Sequence, residues 1–317
     1  MDFLTEYSER QRFWWAVGVT TVISIGLLAF GIYVVEIYGL VMFLGTPFFI
    51  GASCTILYGY KNPISFSQAS RAMWAALSFV LLGLLMLGIE GLICILMSAP
   101  IAIACSYAGM MIALIFVEKK SDDMLKTWII LFISIPLMSF FEPKEKNVEL
   151  LSVVTTVEID APPSVVWKNV IEFSELAPPT EWLFKTGIAY PTNARLEGRG
   201  VGAVRHCNFT TGSFVEPITT WEEPRLLQFS VLEQPEPMKE LSFWDVHAPH
   251  LHDYFVSKKG QFQLTELPNG RTQLEGTTWY YHNIKPVFYW RWWSDFIVHS
   301  IHNRVLNHIK TQSMGQK

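Results

Sequence analysis

The first 141 residues contain long apolar runs that nothing in a water-soluble domain requires. Phe13 to Val35 passes 23 residues without a charge. Ile37–Tyr60, about Ala72–Ile89, about Gly91–Val117 and Leu125–Phe141 are similar. A helix that crosses the hydrocarbon core of a bilayer needs about 20 mostly apolar residues, so the pattern predicts five spans, with four or six as alternatives and an even count reversing the side of the C-terminal part. The last is short and carries Pro136, and the fourth contains Pro100, which marks a kink or a re-entrant segment. The first run is too long for a cleavable signal peptide and leads to no small-residue cleavage site.

Charge is divided to match. Residues 1–141 hold 7 of the 24 Lys and Arg and 8 of the 28 Asp and Glu, whereas all 8 His lie in 142–317. Lipid is the implied solvent of the first part and water that of the second. A net charge of −4 excludes a nucleic-acid binder held by a basic surface, so no nucleic-acid partner is expected. Four Cys in 317 residues are not a disulfide framework.

The seven basic residues set the orientation. Arg10 and Arg12 precede the first span, Lys61 and Arg71 separate the second and third, and Lys119, Lys120 and Lys126 separate the fourth and fifth. The alternate loops offer only Glu36 and Glu90. The positive-inside rule makes the basic side cytoplasmic, and five spans then place the C-terminal part outside the cytoplasm. Glu90, close to Cys94 and Met97, is either a membrane carboxylate for a proton, ion or metal or a loop glutamate at a helix N-terminus.

Residues 142–149 read as a linker, and 150–317 as a folded domain. Leu151–Ile159 is rich in β-branched residues and predicts a strand. Pro162 or Pro163 then opens a short helix through Ile171, with a second helical piece expected over Ser174–Leu183. Strands follow at Ala203–Thr210, Ser213–Trp221, Leu226–Leu232, Tyr254–Leu267 and Arg271–Tyr281, the last two joined by Pro268-Asn269-Gly270. Val287–Gln312 is one long helix with Trp290, Trp293, Ile297, Val298, Ile301, Val305 and Ile309 on its apolar face. The expected fold is therefore an α-helical membrane bundle followed by an α+β domain, a curved antiparallel sheet covered by one long C-terminal helix. A cavity between sheet and helix is a natural place for an apolar ligand.

Within this domain, Val157-Glu-Ile-Asp-Ala-Pro-Pro-Ser-Val-Val-Trp167, Glu222-Glu-Pro-Arg-Leu-Leu-Gln-Phe229 and Gly270-Arg-Thr-Gln-Leu-Glu-Gly276 resemble, in that order, segments of the SRPBCC superfamily. This is the START-like, helix-grip superfamily of polyketide cyclases/dehydrases, birch-pollen-allergen proteins and coenzyme-Q-binding proteins. The resemblance covers about 150–312, and the two-part plan is similar to that of bacterial membrane proteins, which implies the cytoplasmic (inner) membrane. It implies a helix-grip fold with a hydrophobic pocket, and no catalytic motif transfers residue by residue. Function taken from such a fold is analogy.

Two constellations stand out. His247, His250 and His252, flanked by Asp245 and Asp253, lie before the last hairpin, and Asp295, His299 and His302 share a face of the terminal helix. His247, His250, His299, His302 and Asp295 are the catalytic candidates for acid–base work. A divalent metal on His247, His250, His252, His299 and His302 is the alternative to no cofactor. The other constellation is aromatic: Trp279, Tyr281, Trp290, Trp293, Ile297 and Ile301 are the candidate ligand contacts, and some of Trp290, Trp292 and Trp293 alternatively form an interfacial belt. The principal expectation is a membrane-anchored domain that binds a lipid-, isoprenoid- or polyketide-like molecule. A cyclase, dehydratase or hydrolase with a His-rich site and a sensory or structural membrane protein are the rivals. The bilayer and a hydrophobic small molecule are the expected partners, with a homo-oligomer left open.

Overall fold

A computed structural model describes residues 7–118, 123–143, 149–239, 241, 244 and 254–315. The chain divides into two units. One takes in the N-terminal helices with Leu241, Trp244 and Ile284–Pro286, and the other takes in the remainder from Glu149 on.

The first unit has five helices long and apolar enough to cross a membrane. They are α1 (Glu9–Phe30), α2 (Thr46–Gly59), α3 (Phe66–Met86), α4 (Leu92–Glu118) and α5 (Met124–Phe141). Single π-helical turns, Gly31–Val35 and Val41–Gly45, extend α1 and precede α2. Reciprocal capping boxes fix two starts: Ser8 with Gln11 opens α1, and Ser65 with Gln68 opens α3.

Helix α2 is the hub, with every residue after Pro47 but Phe48 buried. A Cβ on Gly51 would lie 1.8 Å from the Ser106 carbonyl oxygen, and one on Gly109 would lie 2.0 Å from that of Phe48. Glycine at both positions lets the α2 and α4 backbones touch, which substitutes for the hydrophobic drive that lipid cannot supply. Some polar side chains inside this unit are bonded to each other. Ser53 Oγ receives the Trp128 indole N–H at 2.7 Å and lies 3.0 Å from Thr20 Oγ1. Glu90, in the bend just before α4, is buried and accepts from the Tyr38 hydroxyl at 3.0 Å. Short segments from late in the sequence complete the unit: Trp244 Nε1 donates to the Met86 carbonyl at 2.8 Å and Lys285 N to that of Tyr38 at 2.9 Å.

The second unit is a seven-stranded antiparallel sheet with two helices. Its elements are β1 (Leu151–Ile159), α6 (Pro163–Ile171), β2 (Pro191–Glu197), β3 (Val204–Phe209), β4 (Gly212–Glu222), β5 (Leu226–Ser230), β6 (Phe255–Leu267), β7 (Arg271–His282) and α7 (Val287–Met314). The strand order is β1-β7-β6-β5-β4-β3-β2, so the first strand pairs with the last and the others form a meander. Asn269 and Gly270, with φ of 69° and 71°, turn β6 into β7. Alternation assigns the inner face. On β1, Leu151, Val153, Thr155 and Ile159 are buried. On β7, Thr272, Leu274 and Tyr280 are buried. Helix α7 packs across β1 and β7, and Trp167, Val166 and Val170 of α6 join Val305, Leu306 and Ile309 of α7 in one core. This is the helix-grip arrangement.

Two local expectations change. Residues 174–181 form no helix, with Leu176 N donating to Thr192 O at 2.7 Å, and only Trp182–Thr186 makes a turn of 3₁₀-helix. Pro178-Pro179 disfavours helical backbone at the residues before each proline. The strand β2 has no apolar alternation of its own and is held by its pairing with β3.

Candidate functional site

The sheet and α7 enclose a cavity of about 140 Å³. Its wall is mostly apolar: Phe209, Phe214, Phe229, Phe255 and Phe262 from the sheet and Ile297, Val298, Ile301 and Leu306 from α7. Among the polar residues that interrupt it, such as Gln234, Ser257 and Gln261, two groups stand out.

The first is an ion pair. Arg205 on β3 lies directly opposite Glu216 on β4, and both point inward, on the parity that also carries Cys207 and Ile218. Arg205 is 2% exposed and Glu216 6%. Arg205 Nη1 donates to Glu216 Oε2. The guanidinium carbon lies 5.5 Å from the ring centroids of Phe173 and Phe262 and 5.4 Å from that of Phe229. Burial opposes its charge, but the facing Glu216 more than offsets that, so the guanidinium stays ionised. Burial pushes the Glu216 carboxyl above the usual carboxylate range, although Arg205 pulls the other way. The Nε of Arg205 is buried with no hydrogen-bond partner. Leaving a donor of a charged group unmet inside an apolar wall costs more than leaving a neutral one. Cys207 beside it is a thiol, since burial pushes its pKa up to about 12.

The second is a chain of hydroxyls and imidazoles. Thr155 Oγ1 lies 2.7 Å from His299 Nδ1 and 3.0 Å from His302 Nδ1, and Thr278 Oγ1 lies 2.8 Å from His302 Nε2. His299 is exposed, whereas His302 and Thr278 line the cavity. The Thr155 hydroxyl has one proton to give, so it donates to one imidazole and accepts from the other. Either choice fixes both tautomers, and a concerted flip moves one proton along the chain. Burial, and then the neighbouring His299, lower the pKa of His302 to about 4, so it is neutral at physiological pH.

The structure thus brings together His299 and His302 of the sequence-predicted residues, through a threonine. Asp295 stands apart: it accepts from the Tyr280 hydroxyl at 2.6 Å and from Arg291 Nε at 3.4 Å. His247, His250 and His252, with Asp245 and Asp253, lie outside the described residues. Among the described residues no three His, Cys, Asp or Glu side chains gather to hold a metal ion.

Of the aromatic and aliphatic candidates, Ile297 and Ile301 line the cavity. Trp279 and Tyr281 alternate with the inward Thr278 and Tyr280, so they fall on the other face of β7. There the Lys259 ammonium lies 4.4 Å from the Trp279 ring centroid and that of Lys258 lies 5.2 Å from the Tyr281 centroid. Trp290 is buried against Tyr289, and Trp293 packs edge-on to Trp292, both outside the cavity wall. Sequence reasoning missed Arg205, Glu216, Thr155 and Thr278. A signal was present: each sits on the strand parity otherwise occupied by core residues.

No family model matches the chain, and no curated protein matches it. Solved structures are similar to about half of the chain. A protein from Nitrosospira multiformis is 18% identical over 53% of this chain and 100% of its own, with a TM-score of 0.34. Norcoclaurine synthase from Thalictrum flavum, in complex with dopamine and hydroxybenzaldehyde, is 11% identical over 54% of this chain and 90% of its own, with a TM-score of 0.35. XoxI from Bacillus cereus is 16% identical over 51% and 95%, with a TM-score of 0.31. At such identities and scores these likenesses assign neither ligand nor activity.

Proposed function

We propose that this is a membrane-anchored binding protein whose helix-grip domain takes a neutral hydrophobic molecule bearing a carbonyl or hydroxyl oxygen. The observation that carries the reading is Arg205, buried in an apolar cavity wall with its Nε–H unmet. A ligand oxygen would satisfy that donor once one of the rings packed around the guanidinium, Phe229 or Phe262 of the cavity wall, moves aside. A neutral ligand fits best, because an ionised Arg205–Glu216 pair is already balanced. A cavity of about 140 Å³ matches one aromatic ring or one branched five-carbon unit, since an apolar cavity of roughly 150 Å³ binds benzene. A longer isoprenoid, acyl or polyketide-like chain would place one end there. Five spans keep the domain at a bilayer of the bacterial cytoplasmic membrane, on its outer side by the distribution of Lys and Arg.

The test uses two probes of equal shape, acetophenone and its oxygen-free isostere cumene, titrated into the full chain in lipid nanodiscs by calorimetry. A hydrogen bond to a charged donor contributes about 1.5–3 kcal/mol, so acetophenone should bind at least about tenfold more tightly. Equal affinities, or no binding of either, would overturn the reading.

A second reading, acid–base chemistry on the bound molecule, is favoured by the hydrogen-bonded chain from exposed His299 to the cavity wall at His302 and Thr278. It predicts that the full chain speeds deuterium exchange at the acetophenone methyl group and that Thr155→Val abolishes the effect while binding persists. Exchange at the buffer rate would eliminate it.

A further inference from the structure

The N-terminal half of α7 carries an aromatic face that the domain itself does not cover. Phe288, Trp292 and Phe296, four residues apart, are 76%, 63% and 39% exposed. Trp182, 59% exposed, stacks on Phe296 with ring centroids 6.4 Å apart, so the strip broadens into a patch. Singly exposed apolar residues need no explanation, whereas a contiguous set of four large rings does.

We propose that this patch rests in the interfacial layer of the lipid bilayer. Three observations favour lipid over a protein partner. The chain already has five helices able to span a membrane. Helix α7 begins at Val287, directly after Ile284–Pro286, and those residues belong to the membrane unit, with Lys285 N bonded to the Tyr38 carbonyl just beyond the π-helical turn that ends the first span. Phe288 is therefore at most about 7 Å along the chain from that unit. Phe296 is about 12 Å further along the helix. The third is chemical. The patch is made of Trp and Phe rings, with Lys185 exposed on the same short helix as Trp182. Flat aromatic rings beside a cation match the headgroup level of a bilayer, where Trp is enriched and Lys meets lipid phosphate.

One consequence rests on the cavity reading above. Ile297, Val298 and Ile301 line the cavity from the same helix. Helix α7 would then present one face to lipid and the next to the ligand, so a hydrophobic molecule leaving the bilayer would meet the wall of its site first.

The test uses the full chain reconstituted in phosphatidylcholine vesicles containing phosphatidylglycerol, with and without 6,7-dibrominated acyl chains. The chain has 12 tryptophans, so the emission of Trp292 is taken as the difference between the wild type and Trp292→Phe, which keeps an apolar ring. Trp221, within the sheet, gives the reference through Trp221→Phe. Brominated lipid should quench the Trp292 component by about half and leave the Trp221 component unchanged, and aqueous acrylamide should reach neither. Quenching of Trp292 by acrylamide alone would place the patch in water and overturn the proposal. Protection from both quenchers would mean a protein cover, such as a second copy, and would overturn it equally. Acetophenone binding measured on the same vesicles reports the cavity separately, so failure of one reading does not imply failure of the other.

Discussion

Removing one partner of the Arg205–Glu216 pair should have an effect opposite in kind to removing both. Arg205→Met leaves Glu216, 6% exposed, without its counter-charge. Breaking a buried pair in this way costs about 3–5 kcal/mol. For a domain of this size each kcal/mol shifts the midpoint by about 2–4 °C, so Tm should fall by about 6–20 °C. The double variant Arg205→Met/Glu216→Leu puts apolar groups of similar volume among Phe173, Phe229 and Phe262, where a thioether packs well. It should be as stable as the wild type or up to about 4 kcal/mol more stable. The edge-to-face contact of Trp167 and Trp221, with centroids 5.5 Å apart, gives the second unit a near-ultraviolet circular dichroism signal with which to follow its unfolding. The pH dependence has a definite sign. Without Arg205 the Glu216 carboxyl, already raised by burial, rises further above its unfolded value of about 4.3. Stability of the single variant is then fullest below that value and is lost as pH rises through the folded-state pKa. The double variant has no carboxyl there and should show no such slope. It should also bind acetophenone no better than cumene. A double variant as unstable as the single one would refute the reasoning, because the pair would then be holding the sheet together rather than awaiting a ligand.

His302 titrates in the other sense. Its folded-state pKa of about 4 lies below the unfolded value of about 6.5, so the neutral ring contributes stability that is present above 6.5 and lost as pH falls to 4, on the order of 3 kcal/mol. His302→Phe should flatten that part of the stability profile, and an unchanged acid limb would reject the assignment. Gly260→Ala places a Cβ 2.5 Å from the tip of the Phe229 ring and should drive that ring toward the cavity, weakening acetophenone binding about tenfold (about 1.4 kcal/mol). Gly276→Ala meets nothing nearer than 3.6 Å and should leave stability close to wild type, and an equal loss of stability in the two would count against this geometry. Arg199, whose side chain is 80% exposed, gives a topology probe: Arg199→Cys should react with a membrane-impermeant maleimide in intact bacterial cells, whereas labelling only after lysis would reverse the orientation.

What the sequence disclosed follows from how local each signal is. The spans were legible because each is one continuous apolar run, and α7 because Trp290, Val298, Val305 and Ile309 repeat at helical spacing and are buried. The turn at Asn269-Gly270 was legible because few residue types accept its backbone. Strand β2 was not, since Pro191-Thr-Asn-Ala-Arg-Leu-Glu197 has no alternation and gains its conformation from β3. The site was least legible. Its polar members lie on β1, β3, β4, β7 and α7, and nothing in the spacing of Arg205 from Glu216, or of Thr155 from His302, announces that they meet. The Trp-rich run drew the ligand site to Trp279, Tyr281, Trp290 and Trp293, yet strand alternation and helical phase turn these rings away from the cavity.

The second unit breaks the usual sorting of residues twice, in opposite directions. A charged pair sits where Val or Leu would be cheaper, and four aromatic rings sit where Lys or Ser would be more soluble. Neither violation is what the fold alone calls for: two apolar residues are expected to pack the interior as well, and polar residues on the outer face of α7 would leave its buried face intact. Local rules are broken in this way where function is placed. An interior that needs an oxygen and an exterior that needs an interface are complementary requirements, because a molecule that is mostly hydrocarbon with one oxygen partitions to the level of the bilayer where Trp rings also reside. On the function proposed above, the two departures would bear on one process, transfer of such a molecule between the bilayer surface and the cavity, and mutation of either set should impair it in the full chain while leaving the other set's own measurement unchanged.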